Sequence, residues 1–234
     1  MKLCLVLAVL FSLLCLPAGA QTQLTGMTIC LDPGHTSETS EGTASRDGKL
    51  TERHLNWVIA VRLRELLLKH GASVVMTKHR EGEIVTNRKR AEMANAAHAD
   101  LFLRLHCDSG APGGLGTYYP DRQGHAHSVT GPSFEIIRAS HAAAQAFHPA
   151  TIRALGGALA DRGIMGDSQT FVGGKQGALT GSIFTHVPAL TIEMCVLTNA
   201  HDYALLRTPV GQERMATALL YGVYAYKQHL SGIR

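Results

Sequence analysis

Two hydrophobic periods alternate along the chain. Short β-prone runs stand at residues 27–31, 73–76 and 101–105, each bounded by turn or helix signals. Between the first two, Leu55, Val58, Ile59, Leu63, Leu66 and Leu67 recur at spacings of three and four, with Gly71 as a stop, which predicts a long amphipathic helix. Between the second and third, residues 88–97 read as a shorter, polar and alanine-rich helix. Further strands are predicted at residues 116–119 and, after Pro188, at 189–194. Two helices, around residues 134–146 and 152–160, are predicted between those strands, and residues 121–132 read as an exposed loop. A last helix over residues 210–229 carries Met215, Leu219, Leu220 and Val223 on one face. This alternation predicts an α/β fold whose open, largely parallel sheet is flanked by helices on both faces.

The first twenty residues depart from that pattern. Lys2, the apolar run 3–16 and Pro17-Ala18-Gly19-Ala20 predict a signal peptide cleaved before Gln21. The run falls short of the roughly 20 residues that span a bilayer, and Leu14 stands where lipoprotein processing at Cys15 needs a small residue. The expected product is an exported, periplasmic or extracellular chain without a membrane anchor, a monomer in which residues 21–234 form a single domain. Neither a Pro/Ser-rich linker nor a repeat interrupts it. The formal charge of +4 is small and dispersed, which argues against nucleic acid as a partner. Cys30, Cys107 and Cys195 remain after the leader, an odd number that makes no disulfide scaffold, and buried free thiols are expected.

Four short segments carry candidate chemistry. Leu31-Asp32-Pro33-Gly34-His35 places a histidine on a forced turn at a strand end, where open α/β sheets build their sites. Glu52 opens the long helix behind Thr51, His106 ends the strand of residues 101–105, and Glu193 ends the strand that follows Pro188. Each has an ordinary reading alone: a loop histidine, a glutamate complementing the helix dipole, a structural histidine, a paired buried carboxylate. Together, two histidines and a glutamate converging from strand ends suit a catalytic zinc ion, which keeps a fourth position for water. Cys107 beside His106 is the competing nucleophile, but adjacent strand residues face opposite ways.

These segments, in this order, resemble the zinc-dependent N-acetylmuramoyl-L-alanine amidases that trim bacterial peptidoglycan. The resemblance rests on the Asp-Pro-Gly-His turn at His35, on Glu52 with Leu55-Asn56, on His106-x-Asp108 and on Glu193 before Leu197-Thr198-Asn199. It extends to Arg90, Ala94-Asn95, residues 99–102, Asp202 and Leu205-Leu206, over about residues 28–226. It implies a six-stranded sheet, zinc held by His35, Glu52 and His106, Glu193 as catalytic acid/base, and muramyl peptides as substrate. Two rival readings are a zinc peptidase cutting within the stem peptide and a catalytically silent wall-binding domain; intact His35, Glu52, His106 and Glu193 argue against the second. Some relatives answer to an activator protein or carry a helix that plugs the zinc site. Residues 121–146 lie at that place here, with Glu135 the carboxylate to watch; an ordinary surface helix is the expectation. Arg104 stands where the family usually has a small residue, Cys195 where it has glycine, and Val196 where an aromatic is common. Arg104 shares a strand face with His106 and needs a partner: Asp32, Asp108, Glu193 or a carboxylate of the stem peptide.

Overall fold

The computed structural model describes residues 23–38, 40–110 and 112–232, so the leader lies outside the described residues. The main sheet contains β1 (Thr28–Pro33), β2 (Ser73–Met76), β3 (Leu101–Asp108), β4 (Leu115–Tyr119), β7 (Asp161–Gly166) and β8 (Ala189–Val196) in the order β2-β1-β3-β8-β4-β7. β2, β1, β3 and β8 run parallel; β4 pairs antiparallel to β8 and parallel to β7. The predicted six-stranded, mostly parallel α/β sheet is therefore present.

Helices cover both faces. On one lie α1 (Glu52–Lys69), α3 (Phe134–Leu155) and α7 (Pro209–Gly232), which pack on one another over a core that includes Leu55, Ile59, Phe147, Leu190 and Leu219. On the other lie α2 (Asn87–Ala96) and α5 (Thr180–Ile183), over Cys30, Ala91, Phe102, Phe184 and Ala189. The alternation of β3 divides accordingly: Leu101, Leu103, Leu105 and Cys107 enter the first core, while Phe102 enters the second, so Arg104 and His106 face that same side.

α1 forms where the spacing of leucines predicts it. Thr51 Oγ1 accepts the His54 amide as N-cap, and Gly71, at φ 89°, lets the chain reverse so that its amide returns to Leu68 O and that of Ala72 to Leu67 O.

Three expectations need correction. Residues 134–146 and 152–160 are not two helices: α3 runs unbroken through Pro149, because burial of Phe147, Ala150, Thr151 and Leu155 offsets the amide that proline lacks. β7 was not expected; with two glycines and a half-exposed edge position, DRGIMG lacks the apolar signature of a strand. Residues 121–132 are more than a loop, since β5 (Gly124–Ala126) and β6 (Val129–Gly131) form a hairpin turned by His127 and Ser128, both at positive φ. Such a turn usually announces itself with glycine or asparagine. Gly131 is buried against Ile183 O, where a Cβ would clash.

Candidate metal centre

The parallel strands β1, β3 and β8 end on the same edge of the sheet, and each delivers one functional group there. β1 delivers His35 just past Pro33-Gly34, with its backbone at φ 56°. β3 delivers His106, opposite Glu193 of β8. Asp202, buried in α6 (Ala200–Leu206), fixes that edge by accepting the Val196 amide at 2.9 Å and the Gly114 amide at 2.7 Å.

Glu52, the first residue of α1, points its carboxylate into the gap between the histidines. Its Oε1 lies 3.1 Å from His35 Nε2, 3.1 Å from His106 Nδ1 and 3.0 Å from the Cys107 amide, and its Oε2 accepts the Thr43 amide at 2.9 Å. A helix-opening glutamate that only complemented the dipole would face water; this one is 3% exposed. Burial acts to raise its pKa, but hydrogen bonds and charge from His106 and His35 outweigh this and hold it ionised. Burial acts to lower the pKa of both histidines; in His35 the bond to Glu52 reverses this, in His106 burial prevails. His35 Nδ1 lies 3.2 Å from Ser40 O, so a proton on Nδ1 leaves the Nε2 lone pair for a ligand.

One donor atom from each of His35, Glu52 and His106 falls within 4.8 Å of the others, the only such group of three or more among the described residues. The surrounding backbone is shaped for it. A Cβ at Gly34 would lie 2.4 Å from the His106 ring, and one at Gly42 would lie 2.9 Å from both Glu52 Oε2 and His35.

Two buried polar atoms here, His106 Nε2 and Glu193 Oε2, have no protein partner. Such atoms are costly to bury, which marks a place built for something else. Burial pushes the Glu193 carboxyl well above the usual range, and the negative charges of Glu52 and Asp108 add to that. A cleft of about 340 Å³ opens over these groups. Arg104, Asn87, Tyr118 and Thr191 line it with them, and so do Thr170, Val172, Leu179 and Thr180 from the segment of α4 (Phe171–Gln176) and α5.

A model of the family described as N-acetylmuramoyl-L-alanine amidase matches residues 29–225. The chain belongs to this amidase family. Among relatives of the amidase, LytC of Bacillus subtilis, an N-acetylmuramoyl-L-alanine amidase, is 28% identical over 204 residues, covering 86% of this chain but only 36% of LytC. Ami1 of Mycobacterium smegmatis, an N-acetylmuramyl-L-alanine amidase, shares the fold at a TM-score of 0.71 and 21% identity, over 88% of this chain and 98% of Ami1. So does the CwlD amidase of Clostridioides difficile, solved in complex with the GerS lipoprotein, at a TM-score of 0.67 and 20% identity, over 88% of this chain and 99% of that one.

The structure brings His35, Glu52, His106 and Glu193 together and sets Arg104 beside them. It keeps Cys107 and Glu135 away. Cys107 lies in the opposite core with its Sγ 3.5 Å from Asn56 Oδ1, and burial raises its pKa, which excludes the thiolate nucleophile. Glu135 is exposed in the first turn of α3, a helix that packs on α7 and the sheet, so it plugs nothing. Cys30, Cys107 and Cys195 are buried free thiols. Of the partners expected for Arg104, the structure supplies Asp32, which is buried and receives Arg104 Nε at 3.1 Å; that Thr77 Oγ1 at 2.5 Å and Arg90 Nη1 at 2.6 Å share this carboxylate was not legible in the sequence. Sequence reading missed the wall built by residues 167–183, whose glycines and polar residues carry no periodic signal.

Proposed function

We propose that the protein is a zinc-dependent amidase that hydrolyses the bond between the lactyl group of N-acetylmuramic acid and the L-alanine of the stem peptide. The observation that carries this is the convergence of three zinc-type donors beneath a cleft that also holds the unpartnered carboxylate oxygen of Glu193. Two imidazoles and one carboxylate, with neighbouring backbone held back by Gly34 and Gly42, fit a zinc ion better than a hard cation that prefers oxygen. His35, Glu52 and His106 would hold it, and it would supply Lewis acidity toward the amide carbonyl and toward water.

The chain's own groups do the rest. Ser40 O orients His35 through Nδ1, and the Cys107 and Thr43 amides orient Glu52. Glu193 takes the proton of the attacking water and returns it to the leaving nitrogen of L-alanine. A buried carboxylate beside other negative charges is a stronger base than one in water, which suits it to the first half of that task.

The substrate is peptidoglycan, and the family and LytC support that reading. The protein acts as an exported monomer at the cell wall. Among the described residues no helix is long and apolar enough to cross a membrane. A protein partner is part of this reading: CwlD was solved in complex with the GerS lipoprotein, and among the described residues no helix fills the cleft. Release of stem peptides from purified sacculi, measured with and without a chelator, tests the proposal. Release that the chelator abolishes and zinc restores is expected; chelator-resistant release would overturn it.

A further inference from the structure

Arg104, on the floor of the cleft, belongs to a buried ionic network. Arg90 and Arg104 share a single carboxylate, Asp32, with side chains 1%, 4% and 0% exposed respectively. Burial would raise the Asp32 carboxyl, but Arg90, Arg104 and the Thr77 hydroxyl outweigh it and keep it ionised. Arg90 is consumed by this network, giving Nη1 to Asp32 and Pro33 O, Nη2 to Thr36 O and Nε to Val85 O. Arg104 is not. Its Nε binds Asp32 and its Nη2 binds the neutral Asn87 Oδ1 at 2.9 Å. Its Nη1 has no hydrogen-bond partner among the described residues and is not sealed from solvent. The nearest room is kept by Gly181, where a Cβ would lie 2.8 Å from Nη1. Asp167, the other buried carboxylate in this region, makes no salt bridge with Arg104, although the Arg104 charge acts on it; its Oδ2 accepts the Leu179 amide at 3.1 Å and its buried Oδ1 has no partner.

A nearly buried cation with one open donor, on the lining of a substrate cleft, is poised for an anion. The spacing says which one. Arg104 stands two residues before His106 on the same strand face, about 7 Å along the strand. Two residues of extended peptide also span at most about 7 Å. With the scissile nitrogen held over His106 and Glu193, the second residue of the stem would lie within side-chain reach of Arg104, whose guanidinium extends toward Asp32 and Asn87. We propose that Arg104 binds the free α-carboxylate of that second residue, the D-glutamate of an unamidated stem, and so makes the cleft selective against stems amidated there. This rests on the amidase reading above.

The test compares zinc-loaded enzyme on two defined muropeptides that differ only in a carboxylate or carboxamide on the second residue. A charge-assisted hydrogen bond lost on amidation predicts a fall in kcat/KM of about tenfold or more, carried mainly by KM. Arg104→Gln should bring the ratio toward one. Because that change also disturbs Asp32, Asn87→Asp is the second variant: it leaves Arg104 in place, sets a competing carboxylate against its Nη2 and should likewise erase the preference. Equal kcat/KM on both substrates by the wild type, or an undiminished preference in both variants, overturns the proposal and leaves the amidase reading intact. Cleavage of neither substrate contradicts the amidase reading instead. Binding to zinc-loaded Glu193→Gln by calorimetry then decides Arg104's role by itself, since equal affinity for the two muropeptides overturns it.

Discussion

A single oxygen, Glu52 Oε1, organises the centre: it meets both histidines and the Cys107 amide. If His35 and His106 complete the donor set, His35→Ala or His106→Ala should remove about one equivalent of zinc, measured by metal analysis of purified protein. Full zinc occupancy in either variant would contradict the assignment. Glu193 is outside the donor set, so Glu193→Gln should keep its zinc and lose about 10² to 10⁴-fold in rate. Gly34 gives a subtler probe. A methyl group there would meet the His106 ring at 2.4 Å, so Gly34→Ala should weaken zinc binding with less cost to the fold; unaltered zinc affinity would show that the ring has room to move. Arg90 makes the opposite case. Arg90→Ala leaves Asp32 buried with a poorer complement and should destabilise the fold by about 3 to 5 kcal/mol, read by denaturant titration.

The elements that bear these residues were legible to different degrees, for physical reasons. β1, β3 and β8 are buried central strands, so their sequences are apolar runs, and a histidine or glutamate within or just past such a run stands out. β3 and β8 nevertheless continue beyond His106 and Glu193, where the strands were expected to end. α1 was legible because Leu55, Ile59, Leu63 and Leu67 must all reach the core. What escaped notice owes its position to neighbours more than to its own pattern: the edge strand β7, the hairpin of β5 and β6, and the wall of residues 167–183. That wall is held by Asp167, whose buried carboxyl accepts the Leu179 amide and is pushed up to about 6 by burial, against the pull of Ser182 and Leu179. A carboxyl with a raised folded value favours the folded state most while it is protonated. Its contribution therefore declines as pH rises from about 4, its unfolded value, toward 6, and is flat above. Subtracting the stability profile of Asp167→Asn from that of the wild type should expose this decline, and a flat difference between pH 4 and 6 would refute it.

Across the whole molecule, the layered fold converts distant segments into one site. His35, Glu52, His106 and Glu193 come from four elements and meet only because three parallel strands end together and α1 begins beside them. Zinc would bind this folded arrangement and not the unfolded chain, so chelation should lower Tm and added zinc should restore it in proportion to the logarithm of its free concentration. A Tm indifferent to zinc would mean that the donors do not form a metal site in the native protein. The most direct measurement of the central claim is the mass of the products released from one defined muropeptide by the zinc-loaded enzyme. The account predicts two species, a muramic acid with its lactyl carboxylate freed and an intact stem peptide with L-alanine at its amino end. Fragments cut inside the stem peptide, with L-alanine still attached to the sugar, would contradict it.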